Sequence, residues 1–317
     1  MARLADPPIV CGRAAGRQKG AAVLVAMLVV ALAAMAAGGF MFRSQVEWRR
    51  LENLTRLDQA KWVSRATDQW AAGVLRDDLR QNSVDHRGEA WATQLPPVEA
   101  EGYRVSGRID DQDGRFNLNN LVLNGEVDGT QLEIFVRLLR SLRLPEHLAV
   151  VVADWLDADD LPLNEDSAES AYYAGLTPPH QAANHPLVSV NELLRVKGFD
   201  RNVLSTLSPV VTALPIRTPV NVNTAPPEVL SSLVAGLAVD DAYAVVARRA
   251  RIHYRNIQDF QQALPGGLAV PDGLVSVSSQ YFLVRVQIRH ERMAVGSQAL
   301  YRRGGQDSPT LVWRAEL

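Results

Sequence analysis

The hydrophobic pattern opens with an uninterrupted apolar run from Ala21 to Phe42 that contains no charged residue. As a helix rising about 1.5 Å per residue, it matches the roughly 30 Å hydrocarbon core of a bilayer. No turn signal follows Phe42, and no proline occurs from Arg43 to Gln81. At 100° per residue Trp48, Leu51, Trp62, Val63, Ala66, Trp70 and Val74 share one broad face, with most charges elsewhere. The pattern predicts one long helix, apolar all round and then one-sided, with the three tryptophans in a core-facing stripe.

Pro96-Pro97 breaks this pattern, and Tyr103 to Ile109 alternates as a strand does. Asp110-Asp111-Gln112-Asp113-Gly114 then reads as a turn. Asp111, Asp113 and Asn117 have some calcium-loop spacing, without the closing glutamate of an EF-hand. From Gly129 to about Leu214 short apolar-periodic segments alternate with polar or proline-bearing links, and Pro226-Pro227 opens a second such stretch. After Pro265-Gly266-Gly267 three strands are expected: Tyr281–His290, Met293–Arg302 and Leu311–Glu316. Pairing of these with the strand near residue 105 gives an α+β fold with a large all-helical inserted domain. Its expected parts are a spine helix and first strand over 43–115, helical regions over 116–214 and 215–265, and terminal strands over 266–317.

Charge sharpens the reading of the amino terminus. The net charge is −2, yet the first twenty residues hold Arg3, Arg13, Arg17 and Lys19 against Asp6 alone, which leaves about −5 on the rest. Basic residues before a membrane segment keep that flank in the cytoplasm and send the long remainder across. An acidic remainder argues against a general nucleic-acid binder. Cys11, the single cysteine, leaves no disulfide framework and no thiolate metal site. Three readings fit the apolar run: a secretory signal cut near Ala34-Met35-Ala36, a plain anchor, and a prepilin-like leader (1–20) cut between Gly20 and Ala21 that leaves the helix 21–42 on the mature chain. The direct join of Gln18-Lys19-Gly20 to the apolar run favours the third.

Residues 153–173 gather Asp154, Asp157, Asp159, Asp160, Glu165, Asp166 and Glu169, while no Lys or Arg occurs between Arg143 and Arg195. These carboxylates repel one another unless solvated or bridged by a cation, and calcium suits them because it takes six to eight oxygens from a flexible loop. A solvated acidic loop is the alternative. The segments VSVNELLRVKGFDRNVLSTL and VNVNTAPPEVLSSL have the cadence of helix-hairpin-helix repeats, whose turn offers N–H groups to phosphate. Here the turn is Lys197-Gly198-Phe199-Asp200, and the carboxylate in place of a second glycine should repel phosphate. They read as packing modules, with Asn221-Val222-Asn223-Thr224-Ala225 as a cap and turn.

The join at Gly20, the Asp-Trp-Leu-Asp-Ala-Asp run at 154–159 followed by Ala-Glu-Ser-Ala-Tyr-Tyr at 168–173, and Asn-Val-Asn-Thr-Ala at 221–225 together resemble the K-type minor pseudopilins of bacterial type II secretion systems. The resemblance covers nearly the whole chain. Counted from Ala21 the fifth residue is Val25, where most pilins carry a glutamate that pairs the terminal ammonium of the adjoining subunit. The K type typically lacks it, and a subunit with nothing above it has no ammonium to pair, so a carboxylate there would stand unpaired in lipid. The resemblance implies an inner-membrane, single-pass protein with a periplasmic head, cleaved by the prepilin peptidase and methylated. It further implies a place at the pseudopilus tip with I- and J-type minor pseudopilins, contacts with the major pseudopilin and the assembly platform, and no nucleic-acid partner. Structural calcium is implied at Asp154, Asp157, Asp159 and Glu169, with Glu165 and Asp166 in the same run.

No G-x-S-x-G elbow, P-loop, H-E-x-x-H or dinucleotide fingerprint occurs, and the six histidines are scattered. Two rivals stand beside the pseudopilin reading. One is a membrane-anchored helix-hairpin-helix DNA-uptake protein; the other is a secreted metal-dependent hydrolase using the acidic loop.

Overall fold

The computed structural model describes residues 19–94, 96–100, 102–291, 293–304 and 308–317. Cys11 and all of the expected leader up to residue 18 lie outside the described residues. The chain divides after Gln59 into two compact units. Helix α1 (Lys19–Gln81) runs without a break, as the lack of proline permits. It is long and apolar enough to cross a membrane. In the first unit its apolar side chains, Val25 among them, are exposed.

In the second unit five antiparallel strands form one sheet in the order β1 (Val98–Ala100), β2 (Tyr103–Asp111), β3 (Tyr281–His290), β4 (Met293–Arg302) and β5 (Thr310–Glu316). The terminal strands match their alternation. On β3, Tyr281 and Leu283 join Leu214 and Leu300 on one face. Phe282, Val284, Val286 and Ile288 alternate to the other.

The tryptophan stripe does not face the core. Trp48, Trp62 and Trp70 are 70%, 67% and 52% exposed. The buried residues of α1 are Ala60, Ser64, Asp68, Ala71, Leu75 and Asp78, spaced three or four apart, with Ala72 beside them. Small side chains allow close approach to the sheet, and the polar ones find partners there. Ser64 Oγ lies 2.7 Å from Ser297 Oγ, and Arg314 pairs with Asp68 at 3.2 Å. A hydropathy pattern ranks bulk and so selects the wrong face.

Between β2 and β3, which are sheet neighbours, lies the helical body. It holds α2 (Gly129–Ser141), α3 (Leu148–Leu156), α4 (Ser170–Ala174), α5 (Arg201–Leu207), α6 (Pro227–Leu233), α7 (Val239–Arg249) and α8 (Ile257–Ala263). Local chemistry sets their ends. Asp128 caps α2, Pro227 opens α6, and α7 begins with Asp240 and Asp241 and ends with Arg248 and Arg249, complementing its dipole. One core from Phe116 to Val275 unites both predicted helical regions, with α2 packed on α6. The body is not wholly helical. Phe116–Asn117 pairs in parallel with Val211–Thr212, Val220–Asn221 with Val275–Ser276, and Val122–Leu123 forms a hairpin with Glu126–Val127. Two-residue strands lie below what alternation can reveal.

Buried asparagines stitch this body together. Asn119 donates to the carbonyls of Leu187 at 2.9 Å and Leu214 at 2.8 Å and accepts from the Leu187 amide at 2.8 Å. Asn117 accepts from the Leu214 amide and donates to the Ile216 carbonyl, while Asn120 exchanges bonds with the Thr218 backbone. Each side chain serves a backbone segment that has no strand neighbour of its own.

Candidate metal site and the seam of the head

The acidic loop is anchored at both ends by aromatic packing, with the Trp155 ring 4.9 Å from that of Tyr173 in a T-shaped contact. Asp154 sits in the last turn of α3, Asp157 directly follows that helix, and Glu169 directly precedes α4. Helix ends therefore turn these three carboxylates inward. They are buried, whereas Asp159, Asp160, Glu165 and Asp166 are exposed.

Asp154 Oδ2, Asp157 Oδ1 and both oxygens of Glu169 are buried without a hydrogen-bond partner. Burial and then the neighbouring Asp154 and Asp159 carboxylates push Asp157 up to about 7. Burial followed by the same kind of repulsion, Asp154 first, pushes Glu169 up to about 8. Buried carboxylate oxygens without donors are the chemistry a hard cation satisfies, and in that respect these three suit calcium, although the group whose oxygens all lie within 4.8 Å of one another is a different one. The exposed members do other work. Asp159 accepts from the Leu161 amide and Asp160 from the Ser170 amide, while Lys197 Nζ ties the backbone carbonyls of Asp166 and Ser167 at 2.9 and 3.2 Å.

A second acidic cluster was not singled out from the sequence. Asp78, Asp85 and Glu89 each bring an oxygen within 4.8 Å of the others. Arg303 already serves this group: it pairs with Asp78 at 2.7 Å, with Asp85, and with the Ser279 carbonyl, over the face of Phe282. Glu89 accepts from Trp91 Nε1 and from Asn82. Burial outweighs the Arg303 guanidinium at Asp85 and raises its carboxyl to about 7. The Asn-Val-Asn-Thr-Ala run does more than cap a turn. Asn221 donates to the Asp85 carbonyl and Ser279 Oγ, Thr224 Oγ1 donates to Asp111, and Arg249 donates to the carbonyls of Val222 and Ala225. It is the seam between head and helical body. Asp111 and Asp113 belong to this seam; Asp113 accepts from the amides of Gln280 and Tyr281.

At the hairpin-like turn Asp200 caps α5 by accepting from the amides of Asn202 and Val203, both at 2.8 Å. Its carboxylate occupies the place a phosphate would take. His180 packs on Trp155 and Tyr173, whereas His185 contacts the Pro186 carbonyl, so the two have separate roles.

Models of the family described as type II secretion system (T2SS), protein K, match residues 114–216 and 220–278. The type II secretion system protein K of Aeromonas hydrophila is 32% identical over 85% of this chain and 88% of its own length. That of Pseudomonas aeruginosa is 36% identical over 84% of this chain and 83% of its own. The chain belongs to the type II secretion system protein K family. A protein K head is thus what the pilin-like helix, sheet and inserted helical body compose. A chain of the crystal structure of the GspK-GspI-GspJ complex from the enterotoxigenic Escherichia coli type 2 secretion system shares this fold, with a TM-score of 0.75 at 24% identity, covering 84% of this chain and 99% of that one. The chain is accordingly a minor pseudopilin of protein secretion, with one candidate membrane helix among the described residues.

Proposed function

We propose that this protein K forms part of the tip complex of the type II secretion pseudopilus, with I- and J-type minor pseudopilins as direct partners, and that it starts assembly for export across the outer membrane. The observation that carries this reading is a continuous apolar helix fused to a pilin-like head, in a chain related over most of its length to protein K. The role is structural, not enzymatic: the helix packs, and the bulky body blocks further stacking. The head lies in the periplasm, the prepilin peptidase cuts after Gly20, the new terminus is methylated, and the major pseudopilin and the assembly platform engage the spine. The test is co-purification of the detergent-solubilised full chain with I- and J-type subunits, alongside amino-terminal sequencing. Ternary complex and a start at Ala21 are expected; a product trimmed near Ala36 with no companions would refute the reading.

Calcium belongs to the same proposal. Asp154, Asp157 and Glu169 would hold it, with Asp159, Glu165 and Asp166 of the same loop as further oxygen donors, and the ion would neutralise the loop and fix its path. A hundredfold excess of calcium over its Kd should add about 2.7 kcal/mol to unfolding stability. Thermal melts with calcium and with chelator should differ by several degrees, and Glu169→Gln should abolish the difference. Equal melts would remove calcium from the account.

A further inference from the structure

The sheet face opposite α1 meets the helical body at a cavity of about 200 Å³. Strand register makes its floor amphipathic. Leu283, Leu300 and Trp313 lie side by side across β3, β4 and β5, and the next row sets Arg285 beside Gln298. Arg115, just past the end of β2, adds a second guanidinium. Among the described residues the lining holds these two cations and no carboxylate.

Charge at this corner does not balance. Arg108 stands directly opposite Arg285 in the sheet, a repulsive pairing. Asp110 answers both, 3.1 Å from Arg108 and in direct contact with Arg285. Asp111 accepts from the Thr224 hydroxyl and the Asp113 amide. Arg115 is half-buried, and its guanidinium makes no ion pair and donates no hydrogen bond among the described residues. Burial pushes its pKa below the usual arginine value; Asp110 and Asp111 act against that, and Arg285 and Arg108 add to it. Trp313 supplies an independent sign. Its Nε1 is buried without an acceptor, and an indole N–H can only donate.

We infer that this cavity binds a single carboxylate carried on a small apolar group. The planar fork of Arg115 matches the two carboxylate oxygens, and the lining adds the Trp313 N–H and the Gln298 amide as further donors. The leucine row receives the apolar part. A doubly charged phosphate is a poorer match, because Arg108 and Arg285 are already engaged by Asp110 and one uncommitted guanidinium answers one negative charge. The cavity is smaller than the roughly 300 Å³ at which sites for drug-sized ligands begin. Its ligand is therefore a small free acid or the terminal residue of a polypeptide, which share this chemistry. The site belongs to the single chain and does not depend on the tip assembly.

The test titrates the full chain, isotope-labelled at its indole nitrogens and held in an uncharged detergent, with N-acetyl-leucine, isovalerate, N-acetyl-leucinamide and inorganic phosphate. The Trp313 N–H resonance is assigned by its loss in Trp313→Phe. Both acids should move it saturably, and the amide and phosphate should not. Tighter binding of N-acetyl-leucine identifies a chain terminus as the source, and tighter binding of isovalerate a free acid. Arg115→Gln should weaken the acids by about tenfold or more, and Arg115→Lys should recover only part, since an ammonium lacks the fork. Melting temperature separates ligand from fold. Without ligand, Arg115→Gln should melt no lower than the natural chain, whereas added N-acetyl-leucine should raise the natural chain alone. The inference is overturned by an unmoved Trp313 resonance, by an equal response to the amide or phosphate, by Arg115→Gln binding as the natural chain does, or by its melting several degrees lower.

Discussion

Replacing Arg303 by methionine is expected to lower unfolding stability by about 3–5 kcal/mol, because it leaves buried carboxylates without their cation. Arg303 is buried and touches Asp78, Asp85 and Ser279, which lie in three separate segments. The loss should appear as a lower denaturant midpoint with an unchanged slope. A pH signature accompanies it. Asp85 titrates at about 7 in the folded chain, against about 3.9 when unfolded. Below both values the two states carry the proton equally, and the contribution to stability is fully present. As pH rises between them only the unfolded chain releases the proton, so this contribution falls and is lost above about 7. Without Arg303 the folded value rises further, and the decline extends to more alkaline pH. Urea midpoints across that range check this, and an identical profile in both chains would remove Arg303 from the account.

Asn119→Leu should cost about 3 kcal/mol or more although leucine is nearly the same size and the site is buried. Three backbone groups, the Leu187 amide and the carbonyls of Leu187 and Leu214, lose their partners, and each unsatisfied group costs about 1–3 kcal/mol. Asn119→Asp restores only the acceptor and should recover part of the loss at best. Thermal melts of the three chains rank them; a leucine variant as stable as the natural chain would show that the bonds carry no net stability.

These two sites mark the limits of what pattern conveys. The long helix and the terminal strands were legible because their periods of 3.6 and 2 extend over many residues. The acidic loop was legible as charge, and the burial that separates Asp154, Asp157 and Glu169 from Asp159, Glu165 and Asp166 follows from their places at helix ends beside Trp155 and Tyr173. The Arg303 cluster was not legible, since its members are remote in sequence and no periodicity links them. Asn119 and Asn120 drew no notice, and Asn117 only as part of a calcium-like spacing, because a pattern records that asparagine is polar, not that its amide replaces a missing strand. The tryptophans were read as a core-facing stripe and stand exposed, since a sequence does not say which side of a helix a sheet will cover.

The placement of the helical body between paired strands governs how the head is made. Asp111 lies opposite Phe282 in the sheet, so residues 112–281 must be synthesised before β2 can meet β3. Closing so long an unfolded loop is slow, and β2 has no second full-length neighbour to shelter it meanwhile. A folded body draws its two ends together and makes the loop short. The order of events is therefore body first and sheet last, and a polypeptide interrupted before Tyr281 would expose a bare strand edge to whatever else is being exported beside it.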